Sequence, residues 1–252
     1  MPKASIIIPV FNRAELVAGA ISSAQNQTIQ DIEIIVIDNA SSDETLAVCL
    51  SMAEKDKRLK VFKNETNLGP VMNWRRGASL STSSYSKFLF SDDLLGPSYL
   101  EKCLPYLSDP ACGLVYTSVN IADKPWGANS PFYNNFIGNT KIRRSPFIYG
   151  ATFIENFFPV SPCACVCRTE DLQKYIFTNV PGFESELYSA TGAGVDLLLY
   201  CMTALNYGYI QYVEDCEVYF RAHSNSMSAQ DGVPTLYENA RTFLKSTLIA
   251  SG

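Results

Sequence analysis

Ala4-Ser5-Ile6-Ile7-Ile8-Pro9-Val10-Phe11-Asn12 decides the fold class of this chain. Residues 4–10 are dominated by β-branched apolar side chains, the pattern of a strand buried on both faces. Pro9 lacks a backbone N–H, which fits a strand about to leave its sheet. Residues 13–27 follow with Leu16, Val17, Ala20, Ile21 and Ala24 on one helical face. Residues 33–37 read as a second buried strand. The polar turn Asp38-Asn39-Ala40-Ser41-Ser42-Asp43 can cap a helix over 44–56. Residues 59–62 read as a third strand, and Asn67-Leu68-Gly69-Pro70 as a turn before a helix over 71–80. Further strands are expected at 85–90 and 113–119. Alternating strands and helices imply right-handed crossovers and a mostly parallel, Rossmann-like α/β sheet flanked by helices. Ligands of such sheets sit outside the carboxyl ends of the strands. Asn12, Asp38-Asn39 and Asp92-Asp93 all follow strands and should converge there.

Asp92 and Asp93 end the run Phe88-Leu89-Phe90-Ser91. Adjacent carboxylates repel, and a bound cation is a physical reason to place them together. A solvated helix-capping turn is the other reading of the doublet alone.

The second half is less regular and forms a smaller mixed part. Residues 123–149, rich in Asn, Pro, Gly and aromatics, read as a long loop able to cover a substrate. Strands are expected at 161–168, Tyr209–Val213 and 217–221, and helices at Val195–Leu205 and 235–249. No repeat or linker divides the 252 residues, so one domain is expected.

Composition narrows the function. Apolar residues make up 47% of the chain, enough for a core. The net charge of −5 argues against a nucleic-acid backbone reader. No apolar run approaches a membrane span of ~20 residues, and no signal peptide is evident. The eight cysteines read as reduced thiols of a cytoplasmic protein, with peripheral attachment to the inner face of the membrane left open. Cys163, Cys165 and Cys167 alternate, so a strand would turn all three to one face. They lack paired zinc-site spacing and read as core.

The segment Ser5-Ile6-Ile7-Ile8-Pro9-Val10-Phe11-Asn12-Arg13 resembles the opening of family 2 glycosyltransferases of the GT-A fold. The resemblance continues through Ile35-Val36-Ile37-Asp38-Asn39-Ala40-Ser41-Ser42-Asp43, Asn67-Leu68-Gly69-Pro70, Asn73-Trp74-Arg75-Arg76 and Phe90-Ser91-Asp92-Asp93. It reaches Tyr219-Phe220-Arg221-Ala222-His223-Ser224-Asn225-Ser226, similar to that family's Arg-x-His segment, and covers roughly residues 4–228. It implies an inverting, metal-dependent enzyme, a single GT-A domain with a nucleotide-binding half over about 1–120 and an acceptor-binding half over about 121–252. Such an enzyme moves a sugar from a UDP- or dTDP-sugar to a hydroxyl of a glycan or glycolipid, commonly in bacterial surface polysaccharide synthesis.

The resemblance also assigns residues. Pro9, Phe11, Asn12, Asp38, Asn39, Asn67, Gly69, Arg76 and Asp92 fall at donor-binding positions, with Phe11 stacking on the base. Arg75 is the neighbouring candidate for phosphate. Asn39 stands where an acid is common, and Asn can both accept from and donate to a base edge. Asp93 and His223 would ligate Mn²⁺ or Mg²⁺. The acceptor hydroxyl needs a carboxylate base. The resemblance points to Gly192-Ala193-Gly194-Val195-Asp196-Leu197, where many relatives carry an acid two residues before the Asp-Leu pair and this chain has Gly194. Asp196 is therefore the expected base, with Glu184 and Glu186 as substitutes. Gly194 also admits the alternative of a catalytically impaired nucleotide-sugar binding module.

Overall fold

The computed structural model describes residues 1–122, 136, 138–154, 157–214, 218–221 and 231–250. Strands and helices alternate through the first half: β1 (Ala4–Val10), α1 (Val17–Gln25), β2 (Ile32–Asp38), α2 (Thr45–Ala53), β3 (Leu59–Lys63), α3 (Pro70–Leu80) and β4 (Tyr85–Phe88). Then come β5 (Leu94–Leu95), α4 (Tyr99–Leu107), β6 (Cys112–Thr117), β7 (Asn120–Ala122), β8 (Thr140–Arg143) and α5 (Arg144–Phe153). The described chain continues with β9 (Cys165–Arg168), α6 (Thr169–Tyr175), α7 (Glu186–Thr191), α8 (Val195–Leu205), β10 (Tyr209–Val213), β11 (Val218–Arg221) and α9 (Val233–Ala250).

The main sheet has eight strands in the order β3-β2-β1-β4-β9-β6-β10-β8. β1 runs parallel to β2 and β4, and β6 parallel to β10. The alternation of side chains along a strand explains why both faces are covered. Ile6 and Ile8 of β1 join Ile34 and Val36 of β2 in one core, shared with Val17 and Ile21 of α1. Ile7, Ile35 and Ile37 point to the opposite core, which includes Trp74 of α3 and Leu198 of α8. Each buried isoleucine contributes about 1.5–3 kcal/mol on transfer from water.

The structure departs from the sequence reading in several places. β9 lies antiparallel between β4 and β6, and β8 antiparallel on the edge of β10, so the sheet is mixed on that side. Residues 140–149, expected in a loop, form β8 and the first part of α5. β8 escapes notice because it is short and buries only Ile142. The rest of that expected loop, 123–135 and 137, lies outside the described residues. The expected strand at 161–168 begins instead with a 3-10 turn at Pro162–Ala164, where the Ser161 hydroxyl accepts from the Cys163 N–H. Cys163 therefore packs in the α1-side core, while Cys165 and Cys167 pack in the other. α4, α6 and α7 lie in stretches that carried no helix expectation. A second, three-stranded sheet, β5-β11-β7, forms beside the first. No helix among the described residues is long and apolar enough to cross a membrane.

Candidate active site

A cavity of about 980 Å³ opens at the carboxyl ends of β1, β2 and β4 and reaches α5, α8 and α9. Pro9, Phe11, Asn39, Asn67 and Gly69 line one end. Phe11 is 40% exposed, a strand-end aromatic left uncovered by the core. Gly69 adopts a φ of 77° just before Pro70 opens α3, a backbone conformation that suits glycine.

An asparagine cluster holds this end. The Asn39 amide donates to Asn67 Oδ1 at 2.7 Å and to the Gly69 carbonyl at 3.3 Å. Its Oδ1 accepts from Asn64 Nδ2 at 2.7 Å and from the Leu68 N–H at 2.9 Å. Both donors and both acceptor sites of Asn39 are thereby used within the protein. Asn39 thus ties the β2 turn to the 67–69 turn and leaves no group free for a base edge.

Three expected donor contacts are not on the cavity wall. Asn12, at φ 50°, accepts from the Ser42 N–H through Oδ1 at 2.9 Å and braces the two turns. Asp38 is fully buried; its Oδ2 accepts from the Ser41 N–H, while Oδ1 has no hydrogen-bond partner among the described residues. The Arg76 guanidinium donates to Asn64 Oδ1, and Arg75 donates to the Ile176 carbonyl.

Asp92 and Asp93 stand in the middle of the cavity wall. Arg13 Nε lies 4.0 Å from Asp92 Oδ2. β5 pairs with β11, and this pairing brings Arg221 to the doublet. The Arg221 N–H donates to Asp93 Oδ1 at 3.2 Å, and its Nε to the Asp92 carbonyl at 3.3 Å. Asp93 is almost wholly buried, and burial first, then the neighbouring Asp92 charge, holds its pKa well above the usual carboxylate range. The Arg221 N–H, the Cys163 thiol and the buried Lys87 charge oppose that rise. Lys87 donates to the Cys163 carbonyl and sits 4.0 Å from the Tyr99 ring centroid. The site suits a divalent cation, because buried Asp93 carries an ionisation cost that a cation removes, and Asp92 offers a second hard oxygen donor. No group of three or more His, Cys, Asp or Glu side chains able to hold a metal occurs among the described residues. Asp92 and Asp93 are the described residues that could hold a cation here, with water or a bound anion completing its shell. His223 lies outside the described residues.

Asp196 lines the other end of the same cavity, at the start of α8. The Tyr237 hydroxyl of α9 donates to its Oδ2 at 2.7 Å, and the Leu197 N–H to its Oδ1 at 2.7 Å. Burial raises its pKa to about 7, against the lowering effect of these bonds. Glu184 and Glu186 are exposed and away from the wall. Gly194 is closely packed. Its φ is +80°, and a Cβ would stand 2.7 Å from the Leu236 carbonyl oxygen. A side chain at position 194 would therefore need α9 to move.

Sequence reasoning passed over Arg13, Lys87, Tyr237 and Arg241 as site residues. Lys87 carried a signal, a lysine inside an apolar strand. Tyr237 and Arg241 carried none, because a helix that closes a cavity reads like any amphipathic helix.

Comparison with known proteins gives the family. The family model described as glycosyl transferase family 2 matches residues 5–175. The chain belongs to glycosyltransferase family 2. An uncharacterized glycosyltransferase of Haemophilus influenzae is 38% identical over 107 residues, 42% of this chain and 43% of the relative. The GalNAc(5)-diNAcBac-PP-undecaprenol beta-1,3-glucosyltransferase of Campylobacter jejuni is 43% identical over 96 residues, 38% of this chain and 31% of the relative. The matched region thus spans less than half of either relative's length. Staphylococcus aureus TarS 1-349, solved in complex with UDP-GlcNAc, superposes with a TM-score of 0.72 at 20% identity, covering 98% of this chain and 66% of that one. The fold is therefore that of a family 2, GT-A glycosyltransferase.

Proposed function

We propose that the chain is an inverting, metal-dependent glycosyltransferase that moves a sugar from a UDP- or dTDP-sugar to a hydroxyl of a glycan or glycolipid, in surface polysaccharide synthesis. One observation carries the reading. The carboxylate pair Asp92-Asp93 and the solitary carboxylate Asp196 line one cavity, with an exposed aromatic, Phe11, at its far end.

Each group has a role. Phe11 stacks on the base. Asp92 and Asp93 would hold Mg²⁺ or Mn²⁺, which when bound neutralises the diphosphate leaving group. Arg13 and Arg221, beside the doublet, face the same anion. Asp196 takes the proton from the acceptor hydroxyl as it attacks the anomeric carbon from the opposite side. Burial that raises its pKa to about 7 makes it a stronger base than an ordinary carboxylate and suits it to accept a proton near neutral pH. Tyr237 holds it in place.

The alternative of a binding module rests on the absent acid at position 194; Asp196, in the same segment and on the cavity wall, supports the enzyme reading over it. Thermal shift against UDP, dTDP and GDP, each with Mn²⁺ or with chelator, tests the reading. UDP or dTDP should stabilise the protein only with metal. Stabilisation by none of them would defeat the proposal.

A further inference from the structure

The acceptor end of the cavity carries a cation that the transfer chemistry does not use. Arg241 lies one helical turn beyond Tyr237 on α9, about 6 Å along the axis and on the same face. It lines the cavity. Its side chain is 18% exposed and pairs with exposed Glu238 at 3.2 Å, while its Nε is buried with no hydrogen-bond partner among the described residues. A buried guanidinium N–H without an acceptor costs free energy unless a ligand supplies one. One turn further, Lys245 sits 5.5 Å from the Phe153 ring centroid.

An apolar strip begins at the same place. Phe157, Phe158 and Ile154 line the cavity, and Ile154 also reaches the surface at 47% exposure. It continues into Phe153 and Tyr149 of α5, 53% and 61% exposed, with ring centroids 4.9 Å apart. Base, cation and exposed apolar strip thus follow one another outward from Asp196.

We propose that this end takes an acceptor whose saccharide is joined through a phosphate or diphosphate to an apolar chain. Arg241 holds the phosphate, and Ile154, Phe153 and Tyr149 hold the first part of the chain. The proposal rests on the transferase reading and specifies its acceptor. A free anionic sugar would use Arg241 and leave the strip idle. A neutral glycan would leave both idle.

Titration calorimetry on the protein saturated with UDP and Mg²⁺ tests it, since UDP then fills the donor end. The probes are farnesyl diphosphate, inorganic pyrophosphate and farnesol. Farnesyl diphosphate should bind at least tenfold more tightly than either other probe, without displacing UDP. R241Q and F153S should each weaken it about tenfold while UDP binding persists. Phe153 is exposed, so F153S spares the core. Equal binding of farnesyl diphosphate and pyrophosphate, displacement of UDP, or undiminished binding in both variants would overturn the proposal. Failure of UDP to bind the wild type would overturn the transferase reading with it.

Discussion

Asn39, at the donor end of the cavity, places all four of its hydrogen bonds inside the protein and locks two turns together. Asp196, at the acceptor end, receives a tyrosine hydroxyl and a backbone N–H, and burial still holds its pKa near 7. The first arrangement is rigid and electrically quiet, whereas the second is poised to change its protonation. A diphosphate nucleotide needs preformed walls. A proton acceptor needs a state that two protonation forms can share. On the proposed reading, the two ends divide these demands between the carboxyl edge of the parallel strands and the helices packed across it.

The sharpest way to break this contrast is Asp196→Asn. Transfer should fall by about 10²-fold or more, with UDP binding within about twofold of wild type. A matching loss of UDP binding would mean that the two ends are not separate. The same variant probes stability. Burial raises the carboxyl pKa in the folded protein, so the folded state holds a proton that the unfolded chain releases between about pH 4 and 7. Its stabilising effect is present below the unfolded pKa and is lost as pH rises through about 7. Asp196→Asn should therefore melt above wild type at pH 8, with the gap closing toward pH 5 in a calorimetric series.

Gly194→Ala tests whether position 194 is steric. Strain at φ +80° and the 2.7 Å approach to the Leu236 carbonyl should destabilise the fold by roughly 2–3 kcal/mol, read by urea unfolding. A neutral effect would reopen the site to a missing acid. At the donor end, Phe11→Ala should weaken UDP binding by roughly 1–3 kcal/mol. Normal binding with a lowered Tm would make Phe11 a core residue. Tyr237→Phe gives the smallest change. It removes a bond that favours the ionised carboxyl, so the rising limb of the pH–rate profile should move upward from about 7 by about one unit, or ~1.4 kcal/mol.

The strand-tip end of the cavity was legible as structure because strand tips and turn residues are local signals. Ile6 to Val10, the turn at Asp38 and the Asp92-Asp93 doublet each announce themselves within a few residues. What was not legible was who bonds whom. Arg76 matched a family position, yet Asn64 takes its guanidinium. Asn39 matched a base-reading position, yet it serves as a clamp. The acceptor end depended on long-range closure. β9 enters the sheet from the second half of the chain, and Tyr237 reaches Asp196 across 41 residues. Neither periodicity nor spacing encodes such a meeting.

The claim that one cavity joins a cation-dependent donor site to the Asp196 base is tested most directly by slow donor hydrolysis, in which water takes the acceptor's place. UDP release would be measured across a panel of UDP-sugars with Mn²⁺, for the wild type and Asp196→Asn. The account predicts release from at least one sugar, abolished by chelator and reduced about 10²-fold in Asp196→Asn while that variant still binds UDP. Release that persists undiminished in Asp196→Asn, or that ignores the chelator, would contradict it.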